Sequence, residues 1–135
     1  MASLEGHVVA SNLLKGNAKT ADYAGIPSVV FTIPPLASVG MHEASAKAAG
    51  LKFIVNQKET SSWYTSRRVA EKHAGFKTLI EEGSDRILGA HVLGPHAEEV
   101  INIFALAIRN GISAGEVRRM IYAYPTSASD ISYMV

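Results

Sequence analysis

The stretch Gly75–Gly111, GFKTLIEEGSDRILGAHVLGPHAEEVINIFALAIRNG, decides the fold of this chain. Its first half contains two runs rich in apolar and β-branched residues on either side of Gly83–Asp85. A Gly-Ser-Asp turn between two such runs predicts an antiparallel β-hairpin. The second half begins with Gly94-Pro95, carries two glutamates near its start and ends at Asn110-Gly111. This order predicts a helix that the proline opens and the glycine closes.

Upstream of the hairpin, the pattern predicts short strands and one short helix. Residues 26–40, IPSVVFTIPPLASVG, form two strand pieces with a break at Pro34-Pro35, because proline is confined to strand starts, edges and bulges. A helix over 42–50 and a strand over 51–57 follow. The polar span 58–74, KETSSWYTSRRVAEKHA, favours neither state.

A second C-terminal helix is predicted after the first one. Ser113 and Glu116 have the spacing of a capping box, in which each side chain caps the backbone N–H of the other. We expect this helix to run to about Tyr122, where the approach of Pro125 ends it. Strands with segregated helices predict an α+β fold, an antiparallel β-sheet with helices packed on one face.

The N-terminal residues read as a separate piece. LEGHVVASNLLKGN, residues 4–17, has the apolar spacing of a short amphipathic helix that Gly16 ends, and a linker follows it. A lone amphipathic helix packs on a neighbour. We expect that neighbour to lie upstream of Met1.

Composition excludes several classes of function. The chain has 135 residues, 47% hydrophobic and 19% charged, with a net charge of +1 and no cysteine. It is therefore one globular domain with no electrostatic footprint for nucleic acid or an anionic membrane surface. These residues hold no disulfide, thiolate nucleophile or cysteine metal site. No apolar run approaches the roughly 20 residues needed to span a bilayer, and no signal-peptide pattern is present, so a cytosolic (cytoplasmic) location is expected.

The first C-terminal helix is apolar on nearly every side over residues 100–108, VINIFALAI. A surface helix shows one apolar stripe, and a single sheet covers only one side of a helix. Either this helix is the centre of a large core, or its outer face meets another subunit or domain. For so small a chain the second interpretation is favoured, and a homodimer is its commonest form. The expected interface residues are Val100, Ile103, Phe104, Ala107, Ile108 and Tyr122.

Side chains that carry chemistry form no convincing set. His91 and His96 flank the turn between hairpin and helix, but their spacing matches no zinc motif, so no metal site is expected. Glycine-rich nucleotide motifs and a G-x-S-x-G elbow are absent. Arg67 and Arg68 follow two aromatic residues, yet without a wider basic patch we expect an exposed loop or strand edge there. No self-contained active site is predicted.

Three stretches carry a resemblance to a known family. They are residues 26–40, residues 87–102 (ILGAHVLGPHAEEVIN) and residues 122–130 (YAYPTSASD). In this order they resemble the C-terminal dimerisation domain of the FAD-dependent pyridine-nucleotide disulfide oxidoreductases, such as glutathione reductase, dihydrolipoamide dehydrogenase and mercuric reductase. The resemblance implies that residues 1–24 are the tail end of an upstream FAD domain with its linker, and residues 25–135 the dimerisation domain. The FAD and NAD(P) domains of the parent enzyme, with their redox cysteine pair, would then precede Met1.

The resemblance also implies a role for the last segment. In this family it crosses to the partner subunit and lies beside the flavin, with a His-Pro-Thr sequence whose histidine is a general acid/base and a following glutamate that orients it. Aligned on Pro125-Thr126, the present sequence has Tyr124 in the histidine position and Ser129 in the glutamate position. Asp130 comes one place later, and Tyr122 stands where some members carry a further histidine. The peptide bond before this proline is commonly cis.

These replacements change the expected chemistry. A free tyrosine, with a pKa of about 10, is a poor proton shuttle near neutrality, and serine cannot hold a charged base as a carboxylate does. Glutathione and lipoamide are therefore not the expected substrates. The vicinal cysteine pair that usually ends mercuric reductases is also absent. Two interpretations of Tyr124 stay open: a hydrogen-bond donor to the substrate at the partner's flavin, or an aromatic ring that only packs the interface.

The leading interpretation is a dimerisation domain of an FAD-dependent NAD(P)H oxidoreductase. In the parent enzyme, hydride passes from the nicotinamide to FAD and on to an acceptor, with Tyr124 and Pro125 near the FAD of the partner subunit. The isolated chain would bind neither cofactor and would be inactive. The alternative is a free-standing module whose exposed apolar helix face binds a protein or ligand and has no redox role. An enzyme that works alone is not supported, because no catalytic set converges.

Overall fold

A five-stranded antiparallel β-sheet forms the centre of the fold, as seen in a computed structural model that describes all of residues 1–135. The hairpin predicted around Gly83–Asp85 is present, and its second strand is the middle strand of the sheet. The strands are β1 (Ser28–Val30), β2 (Leu36–Gly40), β3 (Phe53–Glu59), β4 (Gly75–Glu81) and β5 (Ile87–Leu93), in the spatial order β1-β2-β5-β4-β3.

Five α-helices and one 3₁₀ helix surround the sheet. They are α1 (Ala2–Lys15), α2 (Glu43–Ala48), α3 (Tyr64–Arg67), α4 (Ala97–Asn110), α5 (Ala114–Arg119) and the C-terminal 3₁₀ helix (Ser127–Tyr133). The predicted α+β fold, the two strand pieces around Pro34-Pro35 and the capping box of α5 are confirmed. The span 58–74, for which no state was predicted, ends β3 and contains α3.

The main core lies between the sheet and α4. Phe104 and Ile101 of α4 are fully buried, and they belong to one apolar cluster with Phe76 of β4 and Val92 of β5. Burying each such side chain stabilises the fold by roughly 1.5–3 kcal/mol. The cluster extends to α5 and the 3₁₀ helix, so the helical layer of the domain lies on this face of the sheet.

The opposite face of the sheet meets the start of α2. Lys77 and His91 are cross-strand neighbours on that face. Lys77 Nζ donates a hydrogen bond of 3.1 Å to Glu43, and the imidazole of His91 stacks on that of His42 with ring centroids 4.7 Å apart. The predicted placement of helices on one face therefore holds for α4, α5 and the 3₁₀ helix, and α2 is the exception.

Two helix boundaries differ from the prediction. α4 begins at Ala97, two residues after Pro95, because His96 adopts a left-handed conformation with φ 61° and forms the N-cap. α5 ends at Arg119 rather than near Tyr122, since Met120 turns to an extended conformation with ψ 141°. Met120 is 54% exposed and Ile121 96% exposed, so no packing holds a further helical turn.

Gly40, at the end of β2, is required by a close approach of two strands. Its φ is 75°, and a Cβ atom there would lie 2.3 Å from the carbonyl oxygen of Leu88 in β5. Both the left-handed conformation and the lack of space exclude a side chain. The close approach keeps β2 in register with the middle strand.

The predicted N-terminal helix is present as α1, and none of its residues is buried. The linker after it is attached to the end of α4, where the guanidinium of Arg109 donates hydrogen bonds of 2.7 Å to Asp22 and 3.0 Å to the carbonyl of Ala24. The hydroxyl of Tyr23 donates a hydrogen bond of 3.1 Å to Glu5 of α1. The linker thus bridges α1 and the sheet domain.

Candidate functional site

The segment after α5 forms an exposed turn held at its base. The half-buried Tyr122 donates a hydrogen bond of 3.0 Å from its hydroxyl to the carbonyl oxygen of Val117, and burial raises the pKa of this phenol. Tyr124, two residues on, is 82% exposed and makes no hydrogen bond within the chain. The peptide bond between Tyr124 and Pro125 is cis, as the resemblance implied. The tip of the turn is therefore available to a partner molecule.

A reciprocal cap ends the turn and begins the 3₁₀ helix. The backbone N–H of Ser129 donates to the Thr126 hydroxyl at 3.2 Å, and the Ser129 hydroxyl donates to the carbonyl of Thr126 at 2.6 Å. The Thr126 hydroxyl donates in turn to the carbonyl of Ala123 at 2.7 Å. Ser129, which stands in the family's glutamate position, thus acts as a local cap and makes no hydrogen bond to Tyr124.

The last residues of the chain are anchored in the chain's own core. Ile131 is fully buried, and Met134 and Val135 are 5% and 4% exposed. The hydroxyl of Thr78 in β4 donates to the carbonyl of Met134, and Nε of Arg118 donates to the carbonyl of Val135 at 3.0 Å. The Tyr124–Pro125 turn consequently lies in an exposed stretch, Ala123–Thr126, between the half-buried Tyr122 and the anchored end of the segment.

Asp130 faces α3. Its carboxylate accepts a hydrogen bond from the hydroxyl of Thr65, a residue that is 9% exposed. Burial raises the pKa of Asp130, and the hydrogen bond from Thr65 opposes that shift. No hydrogen bond joins Asp130 to Tyr124, so Asp130 does not replace the family's glutamate as a direct partner of the residue in the histidine position.

A cavity of about 550 Å³ lies between the turn and the N-terminal half of α4. Arg68, His96 and Glu99 line it together with Pro125 and Thr126. It therefore presents a cation, an anion and an imidazole beside the exposed turn. Sequence reasoning missed this grouping, because the contributing residues lie far apart in the chain and no spacing in the sequence links them.

The two histidines considered together in the sequence are separated in the structure. His91 lies on the α2 side of the sheet, stacked on His42, and its Nε2 is 3.3 Å from the carbonyl of Met41. Burial lowers the pKa of His91. His96 instead lines the cavity beside the turn. No three His, Asp or Glu side chains stand close enough to hold a metal ion.

The expected interface residues divide between the core and the outer surface of α4. Val100, Phe104 and Ala107 are 4%, 0% and 2% exposed, because the helical period turns them toward the sheet. In the single chain these three are core residues, Ala107 also lines the groove between α4 and α5, and their contact with a second subunit stays a prediction. Ile108 is half-buried and lies beside Gly40, at the sheet.

The outer face of α4 forms an apolar groove with α5. This groove has a volume of about 430 Å³, and Ile103, Leu106, Met120 and Tyr122 line it. Leu106 is 59% exposed, whereas Ile103 and Tyr122 are half-buried. Leu106 is not among the residues expected at the interface, although its spacing of three residues from Ile103 places it on the same side of the helix.

No helix of the structure has the length and apolar character needed to cross a membrane.

Comparison with known proteins gives a consistent result. A family model described as "Pyridine nucleotide-disulphide oxidoreductase, dimerisation domain" matches residues 26–135. An "Uncharacterized 19.7 kDa protein in mercuric resistance operon" of Staphylococcus aureus is 55% identical over all 135 residues, which make up 75% of that protein. Dihydrolipoyl dehydrogenase of Chlamydia muridarum is 38% identical over 129 residues, and the rat mitochondrial enzyme is 38% identical over 113 residues.

The structural comparison agrees with these matches. The HOCl-induced flavoprotein disulfide reductase RclA from Escherichia coli superposes with a TM-score of 0.86 at 26% sequence identity, over 97% of this chain and 31% of that protein. The chain likewise spans only 27% of the Chlamydia dehydrogenase and 22% of the rat enzyme. It thus corresponds to one part of each of these longer proteins.

Proposed function

The chain belongs to the dimerisation-domain family of the pyridine nucleotide-disulphide oxidoreductases, and on that premise we propose that it joins two subunits of an FAD-dependent NAD(P)H oxidoreductase. In this proposal the Tyr124–Pro125 turn reaches the flavin site of the partner subunit. The observation that carries the proposal is the geometry of the turn. Tyr124 is 82% exposed, while Tyr122 before it and Ile131 after it are tied to the chain's own core.

The surface that meets the second subunit is the groove between α4 and α5. Its lining residues include Leu106, 59% exposed, and Met120, 54% exposed, and Ile121 next to them is 96% exposed. Apolar side chains grouped in this way mark an interaction surface, because their burial against a second copy removes apolar area from water. Ile103 and Tyr122, from the interface expected on sequence grounds, line the same groove.

The chain's own residues fit a contact with a cofactor rather than a site that encloses one. Bound FAD supplies acceptance and onward transfer of hydride. Tyr124 offers an exposed ring and a hydroxyl without an intramolecular partner, so it either donates a hydrogen bond to the electron acceptor or packs against the partner subunit. Ser129 and Asp130 are already engaged with Thr126 and Thr65. The segment therefore contributes orientation rather than an acid/base pair, and neither glutathione nor lipoamide is the proposed acceptor.

Residues 1–24 belong, in this proposal, to the end of an upstream FAD domain and its linker. Two features support this assignment. α1 buries none of its residues, and its Leu13 and Leu14 are 82% and 84% exposed. The matched family region also begins only at residue 26. The partner of α1 would be the remainder of the FAD domain, and residues 25–135 would form the dimerisation domain.

Sedimentation equilibrium of the chain over a micromolar concentration series tests the dimer. We expect a monomer–dimer equilibrium, because the groove is fully formed in the single chain. A well-folded monomer throughout the series would contradict the proposal. The role of Tyr124 is tested by Tyr124→Phe in the full-length enzyme with a panel of electron acceptors. Unchanged rates would leave only the packing role.

A second candidate function is a free-standing binding module without a redox role. The size of the Staphylococcus aureus relative favours it: at 19.7 kDa, that protein extends beyond the matched region by only a quarter of its length. Translation of the DNA upstream of Met1 separates the two candidates. An open frame with a glycine-rich nucleotide motif and a redox cysteine pair supports the oxidoreductase, and a ribosome-binding site after a stop codon supports the module.

A further inference from the structure

Two imidazoles connect α2 to the sheet. The ring of His42, the N-cap of α2, stacks on that of His91 in β5 with centroids 4.7 Å apart and an angle of 13° between the ring planes. His42 is exposed and His91 is half-buried. Nε2 of His91 is 3.3 Å from the carbonyl oxygen of Met41, which can only accept a hydrogen bond, so the neutral ring carries its proton on this nitrogen. The next proton therefore binds at Nδ1 and gives the ring a positive charge.

Few other contacts hold α2 in place. The helix has six residues, and Ala46 is its only buried residue. Besides the stack, its first turn is joined to the sheet by the hydrogen bond of 3.1 Å from Lys77 to Glu43. A short helix with so little buried apolar area is among the least stable parts of a domain. Loss of one contact can therefore move α2 without unfolding the sheet.

The surroundings of the histidine pair, His42 and His91, offer no compensation for positive charge. Lys77 of β4 lies beside His91 in the sheet, and the uncharged Ser38 of β2 lies on the other side. No carboxylate forms an ion pair with either imidazole, since that of Glu43 is bound to Lys47 and Lys77. The charged or titratable residues that line the cavity next to His91 are Lys58, Glu59, Lys72, His73 and Lys77.

The electrostatics favour the neutral form of His91 in the folded chain. Burial lowers the pKa of His91, and the positive charges of His42 and Lys77 lower it further, whereas the hydrogen bond with Met41 opposes the shift. The resulting contribution to stability is complete above the ordinary pKa of 6.5 and is lost as the pH falls through the lowered value. The carboxylate of Glu43, whose pKa is lowered by hydrogen bonds from Lys47 and Lys77, stays ionised in this range.

The position of α2 also determines the shape of an apolar cavity. Met41 precedes the helix and Leu51 follows it, and both line a cavity of about 370 Å³. Gly25, directly after the linker, and Ile108 of α4 line the same cavity. Displacement of α2 therefore changes the point at which the linker enters the sheet domain.

We propose that the histidine pair is a pH-sensitive switch, which holds the start of α2 on the sheet near neutral pH and separates the two when both rings are protonated. Two like charges 4.7 Å apart repel each other, and separation of α2 opens the cavity beside the linker. The proposal goes beyond the proposed function and does not rest on it, because the switch is a property of the single chain.

Amide exchange followed by NMR at about pH 7.5 and about pH 5, on either side of the ordinary histidine range, tests the switch. The N–H groups of Ala46 and Ala49 donate hydrogen bonds within α2. We expect their protection factors, corrected for the intrinsic effect of pH on exchange, to fall roughly 5- to 50-fold in acid. This is the range that two like charges at such a distance produce between a watery and a partly shielded site.

Two readouts in the same spectra show where the change occurs. Thr78 and Ala90, which pair across β4 and β5, should keep their protection in acid. The methyl signals of Met41 and Leu51 should shift with the same pH midpoint as the protection of α2. Protection of Ala46 and Ala49 that is equal at both pH values would overturn the switch, and unchanged methyl signals would overturn the opening of the cavity.

Replacement of one ring separates the histidine pair from other effects of acid. His42→Phe keeps a stacked aromatic ring that cannot be protonated, and a protonated His91 interacts favourably with its face. We therefore expect this variant to keep the protection of α2 at about pH 5 and to raise the pKa of His91 toward its ordinary value. His7→Gln, which alters a histidine on the exposed α1, is the matched control and should respond to acid as the wild type does.

A second variant keeps the test independent of how well His42→Phe folds. His91→Phe removes the other titrating ring and should likewise keep α2 protected in acid. A loss of protection in acid that persists in both variants would overturn the role of the pair. These readouts need neither a flavin nor a partner subunit, so failure of the switch is distinguishable from failure of the dimer, which sedimentation reports.

Discussion

Replacement of Leu106 by aspartate should separate the two subunits and leave the single domain intact. Leu106 lies in the groove between α4 and α5 and is 59% exposed in the single chain. Complete burial of a leucine is worth roughly 1.5–3 kcal/mol, so burying its exposed part is worth roughly 1–2 kcal/mol in each subunit. A two-fold interface contains this residue twice. The loss is then about 2–4 kcal/mol, which weakens association by roughly 30- to 700-fold, and desolvation of the new carboxylate adds to it.

Sedimentation equilibrium of Leu106→Asp measures this change, and urea unfolding of the same variant measures its stability. We expect the free energy of unfolding of the monomer to change by less than about 0.5 kcal/mol, because the replaced side chain is on the surface. Leu13→Asp is the matched control: Leu13 is 82% exposed on α1 and lies outside the groove. A folded Leu106→Asp variant that associates as tightly as the wild type would refute the assignment of this surface.

Three further predictions concern the stability of the domain, each measured by urea unfolding. Gly40→Ala should destabilise the chain by about 1–3 kcal/mol more than Gly50→Ala. Both glycines have a positive φ, but a Cβ atom finds open space only at Gly50. Equal losses of stability in the two variants would contradict the close approach of β2 to β5. Ser113→Ala should cost about 1 kcal/mol through loss of the cap of α5, and Ser113→Thr, which keeps the capping oxygen, should recover most of it. A hydrogen bond from Lys47, together with one from Lys77, lowers the pKa of Glu43. The ionised carboxylate of Glu43 therefore stabilises the folded state at pH values above its ordinary pKa, and this contribution is lost as the pH falls below about 4.5. A difference in the free energy of unfolding between wild type and Glu43→Gln that persists in acid would argue against this linkage.

Local signals in the sequence predicted most of the sheet and its helices. The turn at Gly83–Asp85, the break at Pro34-Pro35 and the capping box of Ser113 with Glu116 each determine a conformation through residues that are neighbours in the chain. Such signals remain reliable after folding, because the same short-range contacts form in the final structure.

The wrong boundaries arose where tertiary packing decides the conformation. The approach of Pro125 predicted an end of α5 near Tyr122, but in the single chain nothing covers Met120 and Ile121, and α5 ends at Arg119. Pro95 favoured an earlier start of α4, which the left-handed conformation of His96 prevents. Neither outcome depends on the residues' own propensities alone.

The site was only partly predictable from the sequence. The cis peptide bond before Pro125 followed from the resemblance. The hydrogen bond between Thr65 and Asp130 joins residues 65 positions apart, and no pattern in the sequence indicates it. The helical period places Phe104 and Leu106 on different sides of α4. Because both residues are apolar, however, the period could not show which side the sheet covers.

The position of β3 at the margin of the sheet has a consequence for handling the protein. β3 pairs with β4 on one side only, and its first half, FIVN, includes Ile54 at 60% and Val55 at 39% exposure. An unpaired, apolar strand margin of this length is a template for intermolecular strand addition and aggregation. The charged end of the strand, Lys58 and Glu59, discourages such pairing over its second half alone. A lysine in place of Val55 would therefore guard the domain against fibre-like growth at high concentration without touching the groove on α4.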